Sequence, residues 1–288
     1  AHYTAAKKRR HDDAYTPGGV GGKRPDRAVP VYSMLARRAF PDTPIYIGGL
    51  EASLRRFAHY DYWSDQVMPS VLSSSGADAL MYGMSERTVV ELARNLKAGK
   101  HGTDAVRGIR GMAYFAHDTG DIPFPFVTCP SYEEVLDSKE AYARAVKMQY
   151  DEADHVRGKA VVQAHGKRVL IQNPPSLPLS MAEMDKVYSL PFARTYHPSY
   201  EAAGGVPAIQ EVQFSIIHNR GCFGACNFCA LAFHQGRYIQ ARSHDSVVRE
   251  AEQIARHPDF KGYIHDVGGP TANFRFPSCH PQEKHGLC

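Results

Sequence analysis

Apolar positions along the chain recur with two periods, three-to-four and two, separated by clusters of Gly and Pro. After a polar start and the loop-like stretch PGGVGGKRPDRAV (17–29), Pro30 opens a helical pattern with Val31, Met34 and Leu35 on one face. PDTP breaks it, and the short apolar runs IYIGG (45–49) and ALMYG (79–83) read as buried strands ending at glycines. Ser85 is placed to cap a helix with Glu86 in its first turn and Val89, Leu92, Ala93 and Leu96 on one face. Short strands alternating with helices predict an α/β fold with a parallel sheet.

Beyond residue 109 the pattern loosens. MAYFA (112–116) fits a strand. Ser131 and Glu134 form a capping-box pair opening a helix that reaches about Ala153, with a break near Asp137 and Ser138. VVQAHGKRVLIQ (161–172) predicts a hairpin turning at His-Gly, and Ser180 with Glu183 repeats the capping-box spacing. A turn-rich segment then links to EVQFSII (211–217), which alternates as a strand. A helix follows from Ser243 or Asp245, with Val247, Val248, Ala251 and Ile254 on one face, and KGYIHDVGG (261–269) is a second strand. The result is a β-loop-α-β unit, whose functional loops belong at the carboxyl ends of the strands. The expected domains are 1–205 and 206–288.

Composition narrows the function class. With 43% hydrophobic and 22% charged residues, the chain reads as a soluble globular protein. No apolar run approaches the ~20 residues of a membrane span. The polar N-terminus has no secretory h-region, so the cytoplasm is the expected compartment. The run Lys7, Lys8, Arg9, Arg10 lacks aromatic interleaving and reads as a solvated end, so nucleic acid is not indicated. Residues 17–24 miss a phosphate-binding P-loop, because Pro17 and Arg24 stand where Gly and Ser or Thr are required. The missing initiator Met and the ending HGLC suggest a fragment.

Six cysteines are too few for a disulfide scaffold, and three of them fall in RGCFGACNFC, at 222, 226 and 229. Clustered thiolates suit zinc or an iron–sulfur cluster. A structural zinc site wants four closed ligands, and His218 or His234 is available as a fourth. An electron-transfer cluster takes four cysteines, and no fourth lies near. Zinc therefore stays open; the three-then-two spacing in one tight loop reads instead as a cubane held by Cys222, Cys226 and Cys229 with one iron open to a small molecule. Gly221 and Gly224 suit a loop that wraps a cluster.

Cys222-x3-Cys226-x2-Cys229, with Phe228 before the last cysteine, resembles the signature of the radical S-adenosylmethionine (radical SAM) enzymes. The phrases IGGLEASLRRFAHYDYW, YGMSE, HPSYE, GGVPAI, RGCFGACNFC, HQGR and DVGGPTANFR resemble the YgiQ-type (UPF0313) branch of that superfamily. The resemblance implies a [4Fe–4S] cluster on the three cysteines and SAM chelated to the open iron. Reductive cleavage would give a 5′-deoxyadenosyl radical acting on an unknown substrate, fed by an electron donor such as flavodoxin or ferredoxin. It implies cofactor contacts from Phe228 and from Gly268, Gly269 and Pro270 at a strand end. It also implies a Rossmann-like, cobalamin-binding-type N-terminal domain before an incomplete radical SAM (β/α)6 partial barrel. The cobalamin-ligating pattern D-x-H-x-x-G is absent from the sequence, and fewer residues follow Cys229 than six βα units need.

Other readings stay open. The rival to a radical SAM enzyme is a non-catalytic iron–sulfur or zinc-binding protein. Cys279 and Cys288 are either ordinary thiols or part of a second cluster. Cys129 reads as a packed small hydrophobe. Arg237 and Arg242 suit a SAM carboxylate or a substrate, and equally a surface or helix-start role. Arg55, Arg56, His59 and Tyr60 fit a helix whose basic face packs on the barrel, ahead of a substrate site.

Overall fold

A computed structural model describes residues 3–4, 6–270 and 281–287. Its contacts divide the chain into two compact units, each built from segments distant in sequence. The sheet unit draws on Arg27–Pro178, Gly224–Tyr238 and the described residues of Cys279–Cys288. The composite unit draws on the described residues of Ala1–Asp26, Leu179–Phe223 and Ile239–Ser278.

Eight strands lie in the sheet unit: β1 (Tyr46–Ile47), β2 (His59–Asp61), β3 (Gln66–Met68), β4 (Ala79–Met81), β5 (Met112–Ala116), β6 (Phe126–Thr128), β7 (Ala160–His165) and β8 (Arg168–Gln172). Six form one sheet in the order β1-β4-β5-β8-β7-β6, and β2 with β3 makes a separate ribbon. The sheet is mixed, where the alternation of strands and helices predicted a parallel one. β1–β4 and β6–β7 are parallel; β4–β5, β5–β8 and β7–β8 are antiparallel. One of the three antiparallel pairings is the hairpin β7–β8, which needs no crossover helix. Its two-residue turn is Gly166-Lys167, with Gly166 at φ +59° in the first turn position, where a primed turn requires a positive φ.

Alternating side chains of these strands feed two cores. Ile47, Leu80, Ala113, Val161 and Leu170 pack with Ala52, Phe57, Val71, Val135 and Ala141. Their immediate neighbours Ala79, Met112, Tyr114, Val162 and Ile171 pack with Leu92, Ala105, Val106 and Ile109. Both faces are therefore covered by helices, which is why the strands read as near-continuous apolar runs. The expected helix after Ser131 is two helices, Tyr132–Asp137 and Lys139–Asp151, meeting at Ser138. Both capping boxes form: Ser131 with Glu134, and Ser180 with Glu183. Ser85 departs from its expected role, because its hydroxyl turns back to donate to the Tyr82 and Gly83 carbonyls instead of capping.

The arginine-rich stretch supports the sheet. Arg56 is buried, donating to Gln172 and to the Ser53 carbonyl, with its guanidinium 4.7 Å from the centre of the Tyr82 ring. Desolvation lowers its pKa. Arg55 pairs with Glu51 at 3.0 Å, and His59 and Tyr60 bond locally to the Phe57 carbonyl and to Asp65.

The composite unit holds the β-loop-α-β element. β9 (Ser215–Ile217) runs parallel to β12 (Asp266–Gly268), and the helix His244–Ala255 connects them across the loop. Two short strands between, β10 (Asn219–Arg220) and β11 (Gln240–Ala241), pair antiparallel. Phe214, Ile216 and Ile254 form the core. Both strands are shorter than the alternation predicted. Residues Ile209–Val212 are a helical turn, and β12 begins only at Asp266. The turn-rich 190–208 segment packs rather than dangles. Gly18 donates to the Gly205 carbonyl at 2.8 Å, and a Cβ on Gly18 would lie 2.6 Å from the Ala203 carbonyl oxygen. The glycine-rich run at 17–22 thus serves close backbone packing. Among the described residues no helix is long and apolar enough to cross a membrane.

Candidate metal centre

The cysteine loop leaves β10 through Gly221, whose φ of +82° turns the chain where a side chain would be strained. Ala225 takes the same left-handed region at φ +47°, and the Cys229 N–H donates to the Cys226 carbonyl at 2.9 Å. Cys222 is buried and belongs to the composite unit. Cys226 is exposed, Cys229 is half-buried, and both belong to the sheet unit. All three thiols are free. Among the described residues no group of three or more His, Cys, Asp and Glu is arranged to hold a metal ion. What fits a cluster is the donor set itself: three thiols outside any disulfide on one short loop with two positive-φ turns, of which Cys226 makes only a long 3.9 Å contact to the Gly224 carbonyl.

The other candidates separate by environment. Phe228 is 92% exposed, so a core role is excluded. Gly268 and Gly269 end β12. The His218 N–H donates to the Gly268 carbonyl at 2.9 Å, carrying the parallel ladder one step past the strand. A Cβ on Gly269 would lie 1.8 Å from Oδ1 of Asn219, so this position must be glycine for the turn to lie where it does. Pro270 follows as the last described residue of the segment. Cys279 and Cys288 lie outside the described residues.

Arg242 has a structural role. Its side chain is 1% exposed and donates to the Ile217 carbonyl at 2.8 Å, to Ser246 and to Glu250, which also pairs with Arg194. The Tyr188 ring stacks on the guanidinium at 4.4 Å. Asp185 accepts from the Ser243 N–H beside this network; burial alone would raise its pKa, and hydrogen bonds from Ser243 and Ser246 bring it below the usual carboxylate range. Arg237 stacks on Tyr150 at 4.3 Å within the sheet unit. His234 ends the short helix Leu231–His234, with Nδ1 buried and its pKa lowered by burial and then by Arg56. Cys129 is a packed thiol whose pKa burial pushes up to about 12, so it is not a reactive nucleophile.

Residues 1–215 match the family model for the radical SAM N-terminal region. The chain belongs to the Radical SAM N-terminal family. The match ends where β9 begins, so the cysteine loop lies beyond it. Over 287 residues the chain is 57% identical to a UPF0313 protein of Clostridium botulinum (strain ATCC 19397 / Type A), covering 100% of this chain and 44% of that relative. It is 53% identical, also over 287 residues, to a UPF0313 protein of Clostridium perfringens (strain ATCC 13124), covering 100% of this chain and 43% of the relative. The chain therefore spans less than half the length of these curated relatives. No solved structure matches it.

One residue that no spacing marks stands out beside the loop. Asn219 is 1% exposed, and neither Oδ1 nor Nδ2 has a hydrogen-bond partner. In sequence it sits between His218 and Arg220, with no motif to single it out.

Proposed function

We propose that the full-length protein is a radical SAM enzyme that binds a [4Fe–4S] cluster through Cys222, Cys226 and Cys229. The observation that carries this is three free thiols at the CxxxCxxC spacing, directly after the first strand of a parallel β-loop-α-β unit, in a chain of the Radical SAM N-terminal family. When bound and reduced, the cluster would supply the one electron that breaks the sulfonium S–C5′ bond of SAM, giving methionine and a 5′-deoxyadenosyl radical. The chain's own part is to hold, orient and shield. The loop presents three soft ligands and leaves one coordination position without a nearby fourth cysteine. The Gly268-Gly269-Pro270 strand end lies at the carboxyl end of β12, where parallel α/β units bind ligands. The exposed Phe228 ring stands beside Cys229 in sequence, and in this reading it flanks the cofactor.

In the same reading the unit β9–helix–β12 begins a radical SAM partial barrel from about residue 206, and the preceding residues form the Rossmann-like domain. The protein works in the reducing cytoplasm with an electron donor of the flavodoxin or ferredoxin kind. The test is anaerobic incubation of the reduced full-length protein with SAM. The expected result is release of 5′-deoxyadenosine, lost in Cys226→Ala. Cluster-loaded protein that releases none refutes the enzyme reading and leaves a non-catalytic iron–sulfur protein.

A further inference from the structure

Among the described residues, Asn219 alone has both side-chain polar atoms buried without a partner. A buried amide left unpaired costs free energy, so such a group in a folded chain calls for a reason, and an absent ligand is a common one. Its place is informative. Asn219 follows β9 by two residues, precedes Cys222 by three, and its backbone is fixed by pairing with Ala241 in β11. Its Oδ1 lies against the Gly269 turn at the end of β12, so tightly that no side chain fits there. The amide therefore sits at the shared carboxyl end of the two parallel strands, between the start of the cysteine loop and the Gly-Gly-Pro turn.

An amide offers one donor face and one acceptor face in a fixed geometry. A ligand carrying an amino group and a carboxylate on one carbon matches both: an amino N–H donates to Oδ1 and Nδ2 donates to the carboxylate. We infer that Asn219 is a positioning residue for the α-amino-acid end of SAM. The inference rests on the SAM reading of this site. Asn219 is buried and Gly269, packed against its Oδ1, is exposed, so in this inference the head group approaches the amide from the Gly269-Pro270 turn.

The test uses full-length protein reconstituted without oxygen, as wild type, Asn219→Ala and the near-isosteric Asn219→Asp. Iron and sulfide content, the spectrum of the reduced cluster, and affinities for SAM and for methylthioadenosine are measured. Methylthioadenosine lacks the amino-acid group. Both variants should keep wild-type iron and sulfide but bind SAM about tenfold or more weakly, as expected for lost hydrogen bonds to charged groups. Affinity for methylthioadenosine should stay within about twofold, and the SAM-induced change in the cluster spectrum should appear only at higher SAM. If Asn219→Ala fails to fold, Asn219→Asp decides alone. SAM affinity within twofold of wild type overturns the inference, as does an equal loss for both ligands, which marks a merely structural role. Wild-type protein that binds a cluster but not SAM sinks the SAM reading and this inference together, and is told apart by needing no variant.

Discussion

Gln163 and Asn219 are both buried amides on strands, and they are built to opposite standards. Gln163, in the middle of the sheet, uses both ends: Oε1 accepts from the Ala58 N–H at 2.9 Å and Nε2 donates to the Pro130 carbonyl at 2.9 Å. Asn219, at the strand ends of the composite unit, uses neither. The sheet region spends its polar groups on holding itself together. It does the same with Arg56 against Gln172, and the Asn173 amide nitrogen donates to the carbonyls of Val106, Arg107 and Ile109, although the Asn173 Oδ1 is buried without a partner. Around the cysteine loop, three thiols stand outside any disulfide and the Asn219 amide is left without a partner. That is the difference expected between a scaffold and a binding site, where groups are held ready for a partner outside the chain.

The largest effect that sharpens this contrast is at the loop. Cys222→Ala should abolish cluster binding, measured as iron and sulfide in reconstituted protein, while the far-ultraviolet circular dichroism of the fold is kept. Next is the buried ion network of the composite unit. Arg242→Ala leaves Glu250 partly uncompensated and should cost about 3 kcal/mol in denaturant unfolding; a cost below about 1 would show that the network is not structural. The two amides should then separate directly. Gln163→Ala strands an N–H and a carbonyl and should cost about 2–3 kcal/mol, whereas Asn219→Ala should change stability by less than about 1 kcal/mol. Equal costs would break the comparison.

Smaller still is a pH effect in the sheet unit. Burial alone would raise Asp61, but hydrogen bonds from Ser64 and the Arg27 guanidinium at 2.7 Å outweigh it and hold the carboxyl at about 2. Because the folded pKa lies below the ordinary value near 3.8, this carboxylate stabilises the fold above about pH 4. The contribution is lost as pH falls toward 2. An Asp61→Asn variant should be less stable at neutral pH and show a shallower acid limb in thermal unfolding; an unchanged acid limb would contradict the assignment. Ser131→Ala, which removes one capping box, should cost about 1 kcal/mol.

What the sequence could show divides along the same physical line. Features set by neighbouring residues were legible: the 161–172 hairpin, whose turn lies at Gly166-Lys167, one residue beyond the expected His-Gly, both capping boxes, the break at Ser138, and the helix His244–Ala255. Features set by distant pairing were not. The apolar run of β5 does not reveal that it lies antiparallel to both β4 and β8, because a strand buried on both faces carries no directional signal. Residues 211–214 alternate like a strand but partly turn as helix, since β9 is only as long as its partner β12. At the site, the cysteine spacing and the Gly-Gly strand end were visible as patterns. The burial of Arg242 and the unpaired amide of Asn219 were not, because each acquires its meaning from residues far along the chain.

The central claim is that the three cysteines hold an iron–sulfur cluster, and metal analysis tests it most directly. Full-length protein reconstituted anaerobically should contain iron with an equal amount of acid-labile sulfide. That iron should disappear in the Cys222→Ala, Cys226→Ala and Cys229→Ala variants alike. Zinc without sulfide in the wild-type protein, or undiminished iron and sulfide in the variants, would contradict the account.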